Sequence, residues 1–188
     1  MTEYKNNLTE IAMNFVNSNR VSKFLDPDYS FELVDKKHTE HIMKWRNDPE
    51  IKSQFFEQEK LTEEKQQKFL KNYGSLNRID FILVDKKTRE PYGSFHLTNL
   101  SSNRPEIGKL IGNKELRGKG IAYKSTMTLL SFAFEELKLY KVYAKTKQSN
   151  ISNINLNQKL GFTIIGKEEI DGIIFIIMEL KNNLRKYE

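Results

Sequence analysis

The feature that most constrains this chain is a change of hydrophobic period at Gly112. Before it, Ile79 to Val84, Gly93 to Thr98 and Glu106 to Ile111 are three runs rich in β-forming residues, separated by turn formers such as Lys86 to Pro91. They predict three strands in an antiparallel meander. After it, Ala122, Thr126, Leu129, Leu130, Ala133 and Leu137 recur on one helical face, which predicts a long helix over residues 120–138. Tyr140 to Thr146 then returns to strand composition. A strand, a helix and a strand in succession form a crossover, so the fold must contain a mixed sheet with a helix laid against it.

The flanking segments complete that picture. Leu8, Ile11, Ala12, Phe15 and Val16 predict an amphipathic helix over residues 4–18, and Ser30 to Asp35 a short strand. Thr39 is expected to cap a helix carrying Ile42, Met43 and Trp45 that stops at Asn47-Asp48-Pro49. Thr62 is expected to cap another, with Gly74 as its stop. A helix from Ser152 to Leu160 ends at Gly161, and two strands joined by a hairpin at Asp171-Gly172 close the chain. The expected fold class is α/β in the α+β sense: a central mixed, mostly antiparallel, twisted sheet flanked by helices.

Length and composition narrow the function. One domain fits 188 residues. With no cysteine, thiolate catalysis, disulfides and cysteine zinc sites are all excluded. Three histidines do not make a metal site; His38 and His41 read as solvated surface, and no metal is expected. The formal charge of +6 suits an anionic partner. Lysine and arginine alternate closely with aspartate and glutamate, so there is no basic stripe and no nucleic-acid partner is expected. The longest apolar runs, such as Ile173 to Met178, fall well short of the roughly 20 residues that cross a bilayer, and Met1 to Asn7 is too polar to open a signal peptide. A cytoplasmic protein without membrane contact is expected.

Chemistry concentrates at Arg117-Gly118-Lys119-Gly120-Ile121-Ala122, between a strand and the start of the long helix. Two glycines one residue apart let a ligand approach the backbone, and the helix N-terminus beyond offers unpaired N–H groups to an anion such as a diphosphate. The third glycine of a dinucleotide fingerprint and the Gly-Lys-Ser/Thr ending of a P-loop are both missing.

With this loop, four further motifs resemble the GCN5-related N-acetyltransferase (GNAT) superfamily, in its RimJ/RimL-like and amino-sugar N-acetyltransferase branch. They are Trp45-Arg46-Asn47-Asp48-Pro49, Glu106-Ile107-Gly108, Phe134-Glu135-Glu136-Leu137, and Asn150 followed by Lys159-Leu160-Gly161-Phe162. The resemblance covers residues 30–181, leaving 1–29 as an N-terminal helical extension that packs on the core or on a partner subunit, and 182–188 as a C-terminal tail. It implies acetyl-CoA as cosubstrate. Leu110 and Ile111 would hold pantetheine, the loop from Arg117 to Ala122 the pyrophosphate, and Asn150 and Asn157 further parts of the cofactor.

The same resemblance assigns roles around the reacting atoms. Glu106 is expected to take the proton of the attacking amine, since an alkyl ammonium with a pKa near 10.4 is no nucleophile at neutral pH. The backbone N–H near Ile111 would serve the oxyanion. Relatives carry a tyrosine or a serine to protonate the departing sulfur at the positions of Asn157 and Asn153, and an amide cannot do that. Asn153 is left to hydrogen-bond the thioester or pantetheine, with water or Ser152 supplying the proton. Trp45, Arg46 and Phe55 fall in the acceptor region, with His96 as a second base or a packing residue. The expected activity is acetyl transfer, without a covalent enzyme intermediate, to a primary amine of a small metabolite such as a nucleotide-linked amino sugar. A protein N-terminus as acceptor, or a non-catalytic acetyl-CoA-binding module, are the alternatives. A monomer or a homodimer is expected.

Overall fold

The computed structural model describes residues 2–182, so the tail assigned to 182–188 lies, from 183 on, outside the described residues. Helix α1 (Thr2–Val16) leads to β1 (Tyr29–Leu33), then to the short helices α2 (Thr39–Asn47), α3 (Pro49–Lys52) and α4 (Glu63–Lys71). The meander follows as β2 (Arg78–Asp85), β3 (Pro91–Thr98) and β4 (Glu106–Ile111). Then come α5 (Ile121–Ser131), β5 (Lys141–Lys147), α6 (Ile151–Lys159), β6 (Thr163–Ile170) and β7 (Ile173–Lys181).

These strands form one sheet in the order β1-β2-β3-β4-β5-β7-β6. Every neighbouring pair is antiparallel except β4 and β5, which are parallel and share a single register pair, Glu106 with Tyr143. Beyond Glu106 the two strands part, and the β4 edge facing β5 keeps its backbone groups free of a sheet partner.

Alternation along the strands gives the sheet two unlike faces. Phe81, Phe95, Leu97 and Ile107 share one face and merge with Leu129, Phe132 and Ala133 into the apolar core. The amphipathic stripe of α1 belongs there too: Leu8, Ala12 and Phe15 are buried, and the Phe15 ring lies 5.0 Å from Phe132. The N-terminal helix is thus part of the core that the domain buries. Asp80, His96, Glu106 and Gly108 share the opposite face, beneath α2, α3 and α4.

Local chemistry departs from expectation at several points. Asp35, not Thr39, caps the turn before α2, its carboxylate accepting from Lys36 N–H while Asp35 N–H donates to His38 Nδ1 at 3.0 Å. His38 is therefore a buried structural residue, not solvated surface, with Nε2 3.3 Å from Glu32. Burial, with help from Lys37, pushes its pKa down to about 4. Thr62 does cap α4, accepting from Lys65 N–H, but the helix ends at Asn72 and Gly74 sits in the following 3₁₀ turn. The long helix widens into a π turn over Phe132–Glu136, where Leu137 N–H reaches back to the Phe132 carbonyl.

Candidate active site

The parting of β4 and β5 opens a cleft of about 1130 Å³ that runs from α4 across the sheet to the α5 and α6 N-termini. One end is built from backbone. Gly118 and Gly120 adopt φ of +76° and +79°, which strains any residue with a Cβ, and a Cβ at either position would meet open space. They are there for conformation and access, not for tight packing. Gly120 is the N-cap of α5 and no side chain caps that helix, so its first N–H groups face outward unsatisfied. Arg117 lines the mouth and pairs with Glu50 at 2.5 Å, while Lys114 bridges Asp48 and Glu50 at 3.0 Å each, tying the loop to α3.

Within the expected hexapeptide the roles divide. Gly118, Gly120, Arg117 and Ala122 line the cleft. Lys119 is an exposed side chain outside the cleft lining, and Ile121 turns into the core, so any contribution Ile121 makes to a ligand comes from backbone. Leu110 and Ile111 line the cleft on the free edge of β4. On α6, Asn150 is the N-cap, its Oδ1 accepting from Asn153 N–H, and Asn153 Nδ2 donates to Thr146 Oγ1 at 2.9 Å. Asn157 is fully buried and accepts from Lys109 Nζ. A free strand edge, a glycine turn and an uncapped helix start are an arrangement that fits an extended chain ending in a diphosphate, as in acetyl-CoA.

The other end is built from side chains. Asp80, nearly buried, is held by Arg78 through two hydrogen bonds of 2.7 and 2.5 Å and by the Tyr73 hydroxyl at 2.9 Å. Burial beside that carboxylate raises the Tyr73 pKa, so it stays a donor. His96 Nδ1 lies 4.0 Å from Asp80, and its ring crosses the strand over Gly108, where a Cβ would overlap it. Burial pushes His96 down to about 4; the 31% of its side chain left open faces the cleft. Glu106, at the fork of the two strands, lines the cleft with no hydrogen bond or ion pair to any described residue. Gln66 on α4 also lines it, 4% exposed, with Nε2 unpartnered.

Trp45 is not brought to this cleft. Its indole is buried against Gly112, where any Cβ would collide with the ring, so the tryptophan positions α2 on the sheet. Arg46 and Phe55 do line it, stacked with the guanidinium 4.4 Å from the ring centre and a loose pair to Glu57 at 3.6 Å. Sequence reasoning passed over Lys109, Asp80, Arg78, Tyr73 and Gln66. The available signal was charge inside strand runs: Arg78 and Asp80 in β2, and Lys109 amid apolar residues in β4, are unusual on buried strands.

Among the described residues no helix is long and apolar enough to cross a membrane, and no cluster of three His, Asp or Glu side chains is placed to hold a metal. A family model described as an acetyltransferase (GNAT) domain matches residues 30–163. An uncharacterized Methanocaldococcus jannaschii protein is 28% identical over 158 residues, covering 82% of this chain, while this chain spans 32% of that protein's length. The acetyltransferase PseH of Campylobacter jejuni is 26% identical over 140 residues, 74% of this chain and 86% of its own. The fold is that of a Vibrio cholerae spermidine N-acetyltransferase solved with CoA and spermine, with a TM-score of 0.74 at 20% identity over 83% of this chain and 96% of that one. The family match spans the meander, the fork between β4 and β5 and the glycine loop together, and on that ground the chain belongs to the GNAT acetyltransferases.

Proposed function

We propose that this chain is an acetyl-CoA-dependent N-acetyltransferase of the RimJ/RimL-like and amino-sugar branch, acting on a primary amine of a small anionic metabolite such as a nucleotide-linked amino sugar. The observation that carries the reaction is Glu106, a carboxylate without a partner among the described residues, at the fork of β4 and β5. Acetyl-CoA supplies an acyl carbon already joined to a sulfur leaving group. The chain has to strip a proton from the incoming ammonium, and Glu106, directly or through one water, is positioned for that. The free backbone of β4 near Ile111 offers N–H to the oxyanion.

The anionic acceptor is supported by charge. The cleft is lined by seven cationic side chains (Arg46, Lys65, Arg78, Lys109, Arg117, Lys145, Lys147) against four carboxylates (Glu50, Glu57, Asp80, Glu106). Asp80 is already committed to Arg78, so few carboxylates remain for a polycation, whereas Arg46, loosely held, is free to take a phosphate. Thiol release measured over a panel of amines tests this. Nucleotide-linked amino sugars should be turned over fastest; spermidine or a protein N-terminal peptide outrunning all of them would replace the acceptor class, and no thiol release with any amine would remove the enzyme reading.

A further inference from the structure

Lys109 is the one cleft-lining lysine held by nothing but a side-chain amide. Among the cations lining the cleft, Arg117, Arg78, Arg46, Lys65 and Lys145 each pair with a carboxylate. Lys147 donates to the Ser53 carbonyl and so ties β5 to α3. Lys109 Nζ donates to Asn157 Oδ1 and forms no other hydrogen bond or ion pair with a described residue. An ammonium has three donors, so two are left over inside a half-enclosed cleft. Asn157 is itself fixed, fully buried and with its Nδ2 3.7 Å from Met178 Sδ, so it orients the ammonium without neutralising it. A cation kept in this way is costly unless an anion arrives beside it.

The register of the sheet says on which side that anion forms. Lys109 pairs with Phe95 and projects from the face toward α5 and α6, whereas Glu106 and His96 project from the other. Nucleophile and leaving group flank the acyl carbon during transfer. With the base on one side of the fork, the cation on the other side faces the group that departs. We propose that the Lys109 ammonium is the proton donor to the sulfur that leaves when the thioester is cleaved. The proposal deepens the acetyl-transfer reading above and rests on it.

Starting from the free amine, the nitrogen–carbon bond forms and the carbon–sulfur pair returns to sulfur. Sulfur takes a proton from Nζ, leaving Lys109 as neutral amine. The proton shed by the substrate nitrogen passes to Glu106 and on to solvent, and Lys109 regains one from solvent, so amine and thioester become amide and thiol. Burial supports the role, because it pushes Lys109 down to about 7, where transfer to a thiolate of pKa near 8.5 is downhill. The other titratable groups lining the cleft nearby, Glu106, His96, Lys145 and Lys147, make no pair with it, and α6 faces it with amides.

The test uses Lys109→Met, Lys109→Arg and the double variant Lys109→Met/Asn157→Leu, which leaves no orphaned amide if the single change fails to fold. The first readout needs no turnover: the ultraviolet absorbance of thiolate, followed against pH, gives the ionisation of bound CoA. It should begin below the free-thiol value in wild type and move up by about one pH unit or more without the lysine. The second is kcat, which should fall at least about 100-fold in the methionine variants, the lower end of general-acid contributions. Lys109→Arg should keep the low thiol ionisation yet not restore kcat, since a guanidinium does not release its proton. Equal thiol ionisation in wild type and the methionine variants overturns the proposal, as does a kcat within about threefold of wild type in any folded variant. Failure of the wild-type chain to bind CoA at all overturns the acetyl-transfer reading and this one with it.

Discussion

The two ends of the cleft are made from different material. The end beneath α5 is backbone: a free strand edge, two left-handed glycines and an uncapped helix start, with side chains largely turned to the core or to solvent. The end beneath α2 and α4 is a knot of side chains in which Arg78, Tyr73 and His96 converge on Asp80, with Arg46 and Gln66 above. Backbone recognises what every donor of one kind shares, a diphosphate and an amide-bearing arm. Side chains can be exchanged without altering the fold, so on the proposed function specificity for the acceptor falls where they are. Changes at one end should therefore leave the other untouched.

The largest effect is expected where the ends meet. Glu106→Gln keeps the size of the side chain and removes the proposed base, so kcat near pH 7 should fall about 100-fold, within the usual range for a general base. Acetyl-CoA affinity, measured calorimetrically, should stay within about twofold. A loss shared equally between affinity and rate would show that Glu106 shapes the donor end as well, and a wild-type rate would pass its role to water.

Next comes the donor end alone. Gly120→Val puts a branched residue at φ +79° and a side chain where the loop now meets open space. Acetyl-CoA binding should weaken at least tenfold, about 1.4 kcal/mol, while the folded state persists. The acceptor KM, extrapolated to saturating acetyl-CoA, should not move. Unchanged acetyl-CoA affinity in the folded variant would take the loop out of the site.

That contrast also explains what could be read from the residues in order. The glycine loop is contiguous, and its chemistry needs only glycines before a helix, so Arg117 to Ala122 announce it. The meander and the crossover helix follow from periodicity, whereas the fork after Glu106 shows only in the register of β4 and β5. Asp80 and Lys109 are different: each owes its meaning to neighbours outside its own strand, Tyr73 and His96 for one, the distant Asn157 for the other. Trp45, expected in the acceptor region, packs on Gly112 instead of lining the cleft, and only the register that sets Gly112 beneath it reveals that role. His38 likewise depends on a capping turn that reaches Glu32, six residues back.

A smaller effect is expected at the acceptor end. Arg46 lies on Phe55 and is only loosely paired with exposed Glu57, so its removal leaves no buried carboxylate behind. Arg46→Ala should raise the acceptor KM about three- to tenfold, the loss of a charge-assisted hydrogen bond or two on a phosphate. Acetyl-CoA affinity and kcat should hold. An unchanged KM for the nucleotide-linked amine, or an equal rise for a neutral amine, would detach Arg46 from the anion.

The smallest expected effect on turnover is none, and it concerns His96. Burial holds its folded pKa near 4, against about 6.5 in the unfolded chain, so the ring is neutral throughout the working range. The kcat/KM profile should show no inflection near pH 6.5, and His96→Gln should keep its shape. Stability is another matter. A lowered folded pKa means that between about 4 and 6.5 the unfolded chain binds more protons, so the contribution is complete above 6.5 and is lost as pH falls toward 4. His38, lowered to about 4 as well, adds a second loss of the same sign in the same window. Urea midpoints taken at pH 7 and pH 4.5 should therefore fall with acid, less steeply in His96→Gln than in wild type. An activity inflection near 6.5 that vanishes in that variant would instead make His96 a titrating base and move the acceptor end's proton chemistry from Glu106 onto the ring.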